Sequence, residues 1–368
     1  MCSIFGTKFF KFGTSIELPI AMNDEYFMSL ALELAKKGEG RVNPNPMVGA
    51  VIVKDGKIIG KGYHQYFGGK HAEINAIEDA KSKGYSLKGA TMYVTLEPCS
   101  HWGKQPPCVD RIIEEGFSRV VIAMKDPNPL VNGKGIEKLE KAGIEVKVGV
   151  LEDDARKLNE VFLKYITTKM PFVAIKLALT LDGFIATRNF SSKWITGEKA
   201  RKKVQELRRK YMAIMVGANT ILKDNPRLTC RIEGCSEKVK VILDRHGLTA
   251  NGNFRAFKDG RVIVFTESEK EWDNAEVIRE ANPEKILKIL GEKEIDSVLI
   301  EGGRIACQFL PFADKLHLFY GNKLFGKGIS PFECLNVDKV SDAFKVEFLK
   351  FESFEDSFYV EARPCSQG

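Results

Sequence analysis

No stretch of about 18 consecutive apolar residues occurs in the 368-residue chain, which rules out a transmembrane helix as read from hydropathy. Glycine (32) and proline (14) are too few and too scattered for a collagen-like or low-complexity chain. Neither G-x-G-x-x-G nor G-x-x-x-x-G-K-[ST] is present, so a dinucleotide fingerprint and a Walker loop are both unsupported. There is no basic block: 56 Lys and Arg against 49 Asp and Glu leave a net charge of +7. That mild excess suits a phosphorylated small molecule better than nucleic acid. Internal repeats are absent as well.

With 44% apolar and 29% charged residues, the composition is that of a globular protein, and the length suggests two domains. The eight cysteines are scattered, which fits a cytoplasmic enzyme that keeps its thiols reduced. Cys230 and Cys235 read as incidental thiols, and Cys307, Cys334 and Cys365 have no informative spacing. Residues 1–21 are aromatic-rich but interrupted by Lys8 and Lys11, so they form no signal peptide. They read as an N-terminal extension or a misassigned start, because Met22 directly precedes a helix start capped by Asn23.

From residue 22 to about 150, strands alternate with helices. Runs 48–53 and 57–62 flank Asp55-Gly56, a two-residue hairpin signal. A helix is expected from about Ala72, strands over 91–96, 119–124 and 145–150, and helices over 109–115 and 136–142. Residues 151–171 read as a charged, helical linker closed by Pro171. Alternation resumes at Phe172, with strands near 172–179, 212–216, 239–243, 262–265, 298–300 and 316–320. Helices are expected near 198–210, 283–290 and 305–309, and the tail from 345 to 362 reads as two antiparallel strands. The expectation is two α/β domains, 22–150 and 172–368, the first three-layered.

The strongest chemical signal is His71-Ala72-Glu73, then Pro98-Cys99, then Cys108. One imidazole and two thiolates leave the fourth tetrahedral position on Zn2+ to water, the mark of a catalytic site. Such a metal acidifies water, and Glu73 is placed to carry its proton to a leaving amine. In the second domain, the run 298–300 ends in Glu301-Gly302-Gly303-Arg304, whose bare backbone N–H groups suit a pyrophosphate. Lys176 lies inside an apolar strand and needs a partner such as Asp182 or Glu301.

The metal constellation resembles the zinc-dependent nucleobase deaminases, although its cysteines stand nine positions apart instead of three. That spacing agrees with the surrounding words: Asn43-Pro44-Asn45-Pro46, Leu96-Glu97-Pro98-Cys99-Ser100-His101, Pro106-Pro107-Cys108 and Asp126-Pro127-Asn128-Pro129. Lys176 to Gly183, Ser192 to Thr196, Val216-Gly217, Asp224-Asn225-Pro226, Leu228-Thr229 and Glu301-Gly302-Gly303 follow in the second half. Together they are similar to the bifunctional riboflavin-biosynthesis deaminase/reductase family, over nearly the whole chain from Met22.

The resemblance implies a cytidine-deaminase-like domain followed by a dihydrofolate-reductase-like domain. It implies deamination of a diaminopyrimidinone carrying a ribosylamino 5′-phosphate, then reduction of the ribosyl group by NADPH. Asn45, His64, Lys104, Asp126 and Asn128 would line the first pocket. Ser192, Arg208, Leu228, Arg231 and Glu301 would contact substrate in the second. Leu179, Trp194, Thr196, Thr220, Asp224, Gly302, Gly303 and Arg304 would contact NADPH. Lys176, Asp224 and Glu301 all stand as candidates for the reductase proton donor. A homo-oligomer, dimer or tetramer, is expected, with neither nucleic acid nor membrane as partner. The competing reading is a zinc deaminase of another nucleobase with a non-catalytic second domain.

Overall fold

The computed structural model describes residues 23–102, 106–128 and 132–365; the expectations for residues 1–22 and for Lys104 lie outside them. The first unit comprises α1 (Asp24–Lys36), β1 (Gly49–Lys54), β2 (Lys57–Tyr63), α2 (Ala72–Ser82) and β3 (Thr91–Leu96). It continues through α3 (Cys108–Glu114), β4 (Arg119–Met124), α4 (Lys134–Lys141) and β5 (Glu145–Val148). Its sheet runs β2-β1-β3-β4-β5. The hairpin edge is antiparallel and β3, β4 and β5 are parallel. Asp55 and Gly56 both adopt positive φ (50° and 72°), the conformation that matches a tight turn to strand twist. Asn23 caps α1 by accepting from the Tyr26 N–H at 2.9 Å.

Residues 151–171 form two packed helices, α5 (Glu152–Leu158) and α6 (Glu160–Thr168). Helices α1 and α5 cover one face of the sheet, and α2, α3 and α4 the other. Ala155 and Phe162 join the core of the first unit while Val161 packs with Phe172 and Tyr211 of the second. The segment thereby belongs to both cores.

The second unit comprises β6 (Phe172–Thr180), β7 (Ala186–Thr187), α7 (Glu198–Lys210), β8 (Ala213–Gly217), α8 (Ala218–Asp224), β9 (Val239–Leu243), β10 (Val262–Thr266) and β11 (Glu276–Arg279). It ends with α9 (Pro283–Glu292), β12 (Ser297–Glu301), α10 (Gly303–Phe309), β13 (Lys315–Gly321), β14 (Gly328–Ile329), β15 (Val346–Ser353) and β16 (Ser357–Pro364). Nine strands form one sheet, β11-β10-β9-β8-β12-β6-β13-β16-β15. It is parallel from β11 to β13, and the last two strands are antiparallel. Alternate residues of β6 serve opposite faces: Val173, Ile175, Leu177 and Leu179 pack under α9 and α10, whereas Phe172 and Ala174 meet α7.

One sequence expectation is corrected. Cys230–Cys235 and Cys307–Cys334 are disulfides, with Cα separations of 6.0 and 5.9 Å, and are not reduced thiols. Both separations fall in the range that lets two sulfurs meet. The second pairing joins cysteines 27 residues apart, through the fold and not through local spacing.

Candidate active sites

The first site lies where α2, α3 and the ends of β3 and β4 converge. Gly62 lets α2 sit against β2, since a Cβ there would lie 2.3 Å from the Ala76 nitrogen. That contact seats the N-terminus of α2, which His71 precedes as the N-cap residue and where Glu73 occupies the first turn. Cys99 follows β3, and Cys108 opens α3 with its backbone N–H donating to Cys99 Sγ at 3.3 Å. His71 Nδ1 lies 3.3 Å from Cys108 Sγ and 3.6 Å from Cys99 Sγ.

These three donor atoms all fall within 4.8 Å of one another. Zinc bonds of about 2.0–2.3 Å at tetrahedral angles would put such donors roughly 3.5–3.8 Å apart. The soft N, S, S set and its spacing therefore fit Zn2+ with a fourth position to spare. Among themselves the groups share protons. The hydrogen bond from Cys108 and the contact with His71 draw the Cys99 thiol down to about 4. The bond with Cys99 pushes His71 up to about 9. Burial pushes the Glu73 carboxyl up to about 7.

A cavity of about 440 Å³ opens onto this group and is lined by Asn45, His64, Glu73, Asp126 and Asn128 as well. His64 donates from Nδ1 to the Lys70 carbonyl at 3.0 Å, which leaves Nε2 to accept from Asn45 Nδ2 at 3.1 Å. Burial lowers its pKa, in keeping with that neutral tautomer. Asp126, buried and pushed up to about 6 by desolvation, accepts from the Asn128 N–H. The loop carrying Asn45 is fastened from outside the sheet. Asn159 bonds both the N–H and the C=O of Met47, and Asn43 donates to Asp296 of the second unit at 2.6 Å.

Glu97 is a residue to which the sequence reading assigned no role. Its buried carboxylate accepts four backbone N–H bonds, from Asp126, Gly133, Gly135 and Ile136. It ties the Asp126 loop to the first turn of α4. The local word Leu96-Glu97-Pro98-Cys99 flags it, but its partners lie some 30 to 40 residues away.

The second site is a cavity of about 580 Å³ at the carboxyl ends of the parallel strands, beside β6, β8, β9 and β12. It brings together Lys176, Ser192, Thr220, Asp224, Glu301, Gly302, Gly303 and Arg304. Gly302 holds φ at +139°, and a Cβ on Gly303 would come within 1.8 Å of Ile185. Conformation requires the glycine at 302, and a side chain at 303 would have to displace the end of Ile185. Glu301 is gripped by Arg208 through two bonds of 2.7 Å, and Arg208 also donates to the Thr229 carbonyl. Lys176 pairs with Glu301 across the β6–β12 ladder, and that carboxylate offsets part of the downward push of burial on the ammonium. Asp182 is engaged elsewhere, accepting from Thr180 and the Phe325 and Gly326 N–H groups.

Other expected residues stand outside this lining. Leu179 and Leu228 are buried, and Thr196 gives its carbonyl to Arg201. Trp194 is exposed beneath the Arg201 guanidinium, and Arg231 is exposed near Glu301. Asp224 forms an ion pair with Lys193 at 2.9 Å. The sequence reading also missed Asn219, Lys223, Arg245 and His246, which line the cavity after β8 and β9. Their only advance signal is position after the carboxyl end of a parallel strand.

Comparison with known proteins agrees with this division. The cytidine and deoxycytidylate deaminase zinc-binding region matches residues 21–124, and the RibD C-terminal domain matches residues 171–360. The riboflavin biosynthesis protein RibD of Aquifex aeolicus is 44% identical over 352 residues, spanning 92% of this chain and 97% of that one. A solved diaminohydroxyphosphoribosylaminopyrimidine deaminase/5-amino-6-(5-phosphoribosylamino)uracil reductase from Thermotoga maritima is 52% identical. It covers 93% of this chain and 99% of its own, with a TM-score of 0.89. RibD from Acinetobacter baumannii, at 35% identity and the same coverage, gives a TM-score of 0.87. The chain belongs to the RibD family of riboflavin biosynthesis proteins and joins a zinc-dependent deaminase domain to an NADPH-dependent reductase domain.

Proposed function

We propose that the first cavity deaminates 2,5-diamino-6-ribosylamino-4(3H)-pyrimidinone 5′-phosphate and that the second reduces the ribosyl group of the product to ribityl. The observation that carries the reading is the N, S, S donor set sharing one cavity with a buried carboxyl that ionises near neutrality. We assign 22–150 to the deaminase, 151–171 to the connection and 172–368 to the reductase.

His71, Cys99 and Cys108 would hold zinc, which supplies a water acidified enough to attack at neutral pH. Glu73 would take the proton of the attacking water at its carboxylate and return it to the departing amine, which leaves as ammonia. A carboxyl with a pKa near 7 serves both transfers. Asn45 offers an amide donor and acceptor to the pyrimidinone edge, with His64 fixing its orientation; Asp126 and Asn128 line the same wall, and Lys104, outside the described residues, stays a proposed substrate contact.

In the second cavity NADPH would supply the hydride for the first carbon of the opened ribose. Gly302, Gly303 and Arg304 would receive its phosphates with Thr220 and Asp224 beside them, and Leu179, Trp194 and Thr196, which stand outside the cavity lining, would meet the cofactor at its margin. Arg231 would meet the substrate phosphate, with Arg208, which grips Glu301 and the Thr229 carbonyl, offering its remaining N–H groups, and Ser192 and Leu228 would flank it. Of the proton-donor candidates we favour Lys176, because Glu301 is already committed to Arg208 and Asp224 to Lys193.

Among the described residues no helix is long and apolar enough to cross a membrane. By family membership, and the two disulfides notwithstanding, we infer that the enzyme acts in the cytoplasm on small molecules and not on nucleic acid. Phe348, Leu349 and Phe351 lie exposed on the edge strand β15 and support a homo-oligomer joined there. Ammonia release should cease on chelation and return with Zn2+, while NADPH oxidation should begin only after deamination. Ammonia release from chelated, metal-free enzyme would refute the assignment.

A further inference from the structure

The deaminase cavity has a wall that the deaminase sheet does not supply. Phe162, Tyr165, Ile166 and Lys169 reach it from α6 and its end, and Glu294 reaches it from the segment after α9. Lys169 and Glu294 both hold φ at +59°, each within two residues of a helix end. Glycine is the residue that usually takes this place, because an L side chain there is strained. The chain nevertheless keeps an ammonium and a carboxylate at these two positions.

The Lys169 backbone is held by its own helix and by the second unit. Its N–H donates to the Tyr165 carbonyl at 2.8 Å, and the Tyr165 hydroxyl donates to the Gly291 carbonyl at 3.1 Å. The Lys169 carbonyl in turn sits where a Cβ on Gly291 would lie 2.0 Å away. Helix α9 of the reductase thereby fixes a lysine against the deaminase cavity. Among the described residues no carboxylate lies within ion-pair distance of its ammonium, which stands 5.4 Å from the Tyr165 ring centroid. The other basic groups described in this cavity are histidines: His64 is neutral and His71 belongs to the metal set, which leaves His101 at the rim.

We propose that Lys169 binds the 5′-phosphate of the deaminase substrate, so that the connecting segment, pinned by helix α9 of the reductase, completes the deaminase site. This rests on the substrate assigned above. An ammonium whose backbone is anchored from both sides suits a dianionic group at the end of a flexible ribose. Glu294, of opposite sign in the same wall, opposes that charge and limits where it seats.

The test compares ammonia release from the phosphorylated substrate and from its dephosphorylated counterpart. Lys169→Gly removes the side chain and relieves the strained backbone, so a folding defect is not the expected cause of any loss; zinc content and circular dichroism check this. The preference in kcat/KM for the phosphorylated compound should fall about 10- to 100-fold, the range of one lost hydrogen bond to a charged group. Lys169→Arg should retain most of it, and Glu294→Gln should raise it. A preference in Lys169→Gly within about twofold of the parent overturns the proposal. If the parent releases no ammonia from either compound, the substrate assignment itself fails and the phosphate role falls with it.

Discussion

Replacing Glu97 by glutamine changes one oxygen to an NH2 group and little else in volume. In the parent, one carboxylate oxygen accepts from the Asp126 and Gly133 N–H groups and the other from Gly135 and Ile136. Whichever way the amide turns, two backbone donors then face a donor. Three of the four donors, Gly133, Gly135 and Ile136, lie at the N-cap and first turn of α4, where no carbonyl of the helix can serve them, and the fourth, Asp126, lies in the loop after β4. Hydrogen bonds to a charged group contribute about 1.5–3 kcal/mol each, so two lost bonds cost about 3–6 kcal/mol. That is a large share of the roughly 5–15 kcal/mol that holds a domain together. Thermal unfolding of the zinc-loaded enzyme should shift down by about 10 °C or more. Amide exchange at Gly133, Gly135 and Ile136 should accelerate, and KM for deamination should rise because Asp126 is released. A midpoint within about 2 °C of the parent, with protection at those amides intact, would show that Glu97 does not hold this loop.

Glu73→Gln should lower ammonia release by about 10²- to 10⁴-fold while zinc content and reduction of supplied deaminated product persist; loss of zinc in parallel would mean the residue is structural. Arg208→Met strands a Glu301 carboxylate that the Arg208 guanidinium holds below the usual range and that burial would otherwise push up. Breaking such a pair costs about 3–5 kcal/mol. NADPH oxidation should fall sharply with deamination spared, and an intact reductase would contradict the clamp. His317 donates from Nδ1 to the Tyr359 hydroxyl, which itself donates to Glu361, so Nε2 accepts from Tyr211. Burial drives its pKa well below 6.5. The unfolded chain then takes up a proton that the folded one refuses, and stability should decline by about 1.4 kcal/mol per pH unit as pH falls below 6.5. Urea unfolding between pH 7 and 5 should show a slope that His317→Phe loses, and an unchanged slope in that variant would assign the effect elsewhere.

Much of the fold is legible in the chain because its strands are buried and short and its helices carry local signals. Asn23 and Asn282 cap α1 and α9 through their own side chains, and Asp55-Gly56 turns the first hairpin. The metal set is legible for a related reason: His71 and Glu73 share one turn, and both cysteines sit at element ends. What escaped depends on distance. The donors to Glu97, the Cys307–Cys334 bridge and the wall formed by Lys169 and Glu294 each bring together residues between about 27 and 125 positions apart. The short strand β11 and helix α8 were missed because four to seven residues carry too little periodicity to read.

On this reading one chain performs hydrolysis and then reduction on the same molecule. Mass spectrometry of the products formed from the diaminopyrimidinone ribosyl phosphate in H2(18)O, with and without NADPH, tests it most directly. Without NADPH one amine should be exchanged for one labelled oxygen, and with NADPH the product should gain two further hydrogens. Two added hydrogens on a product that still carries the amine, or no reduction after deamination, would contradict it.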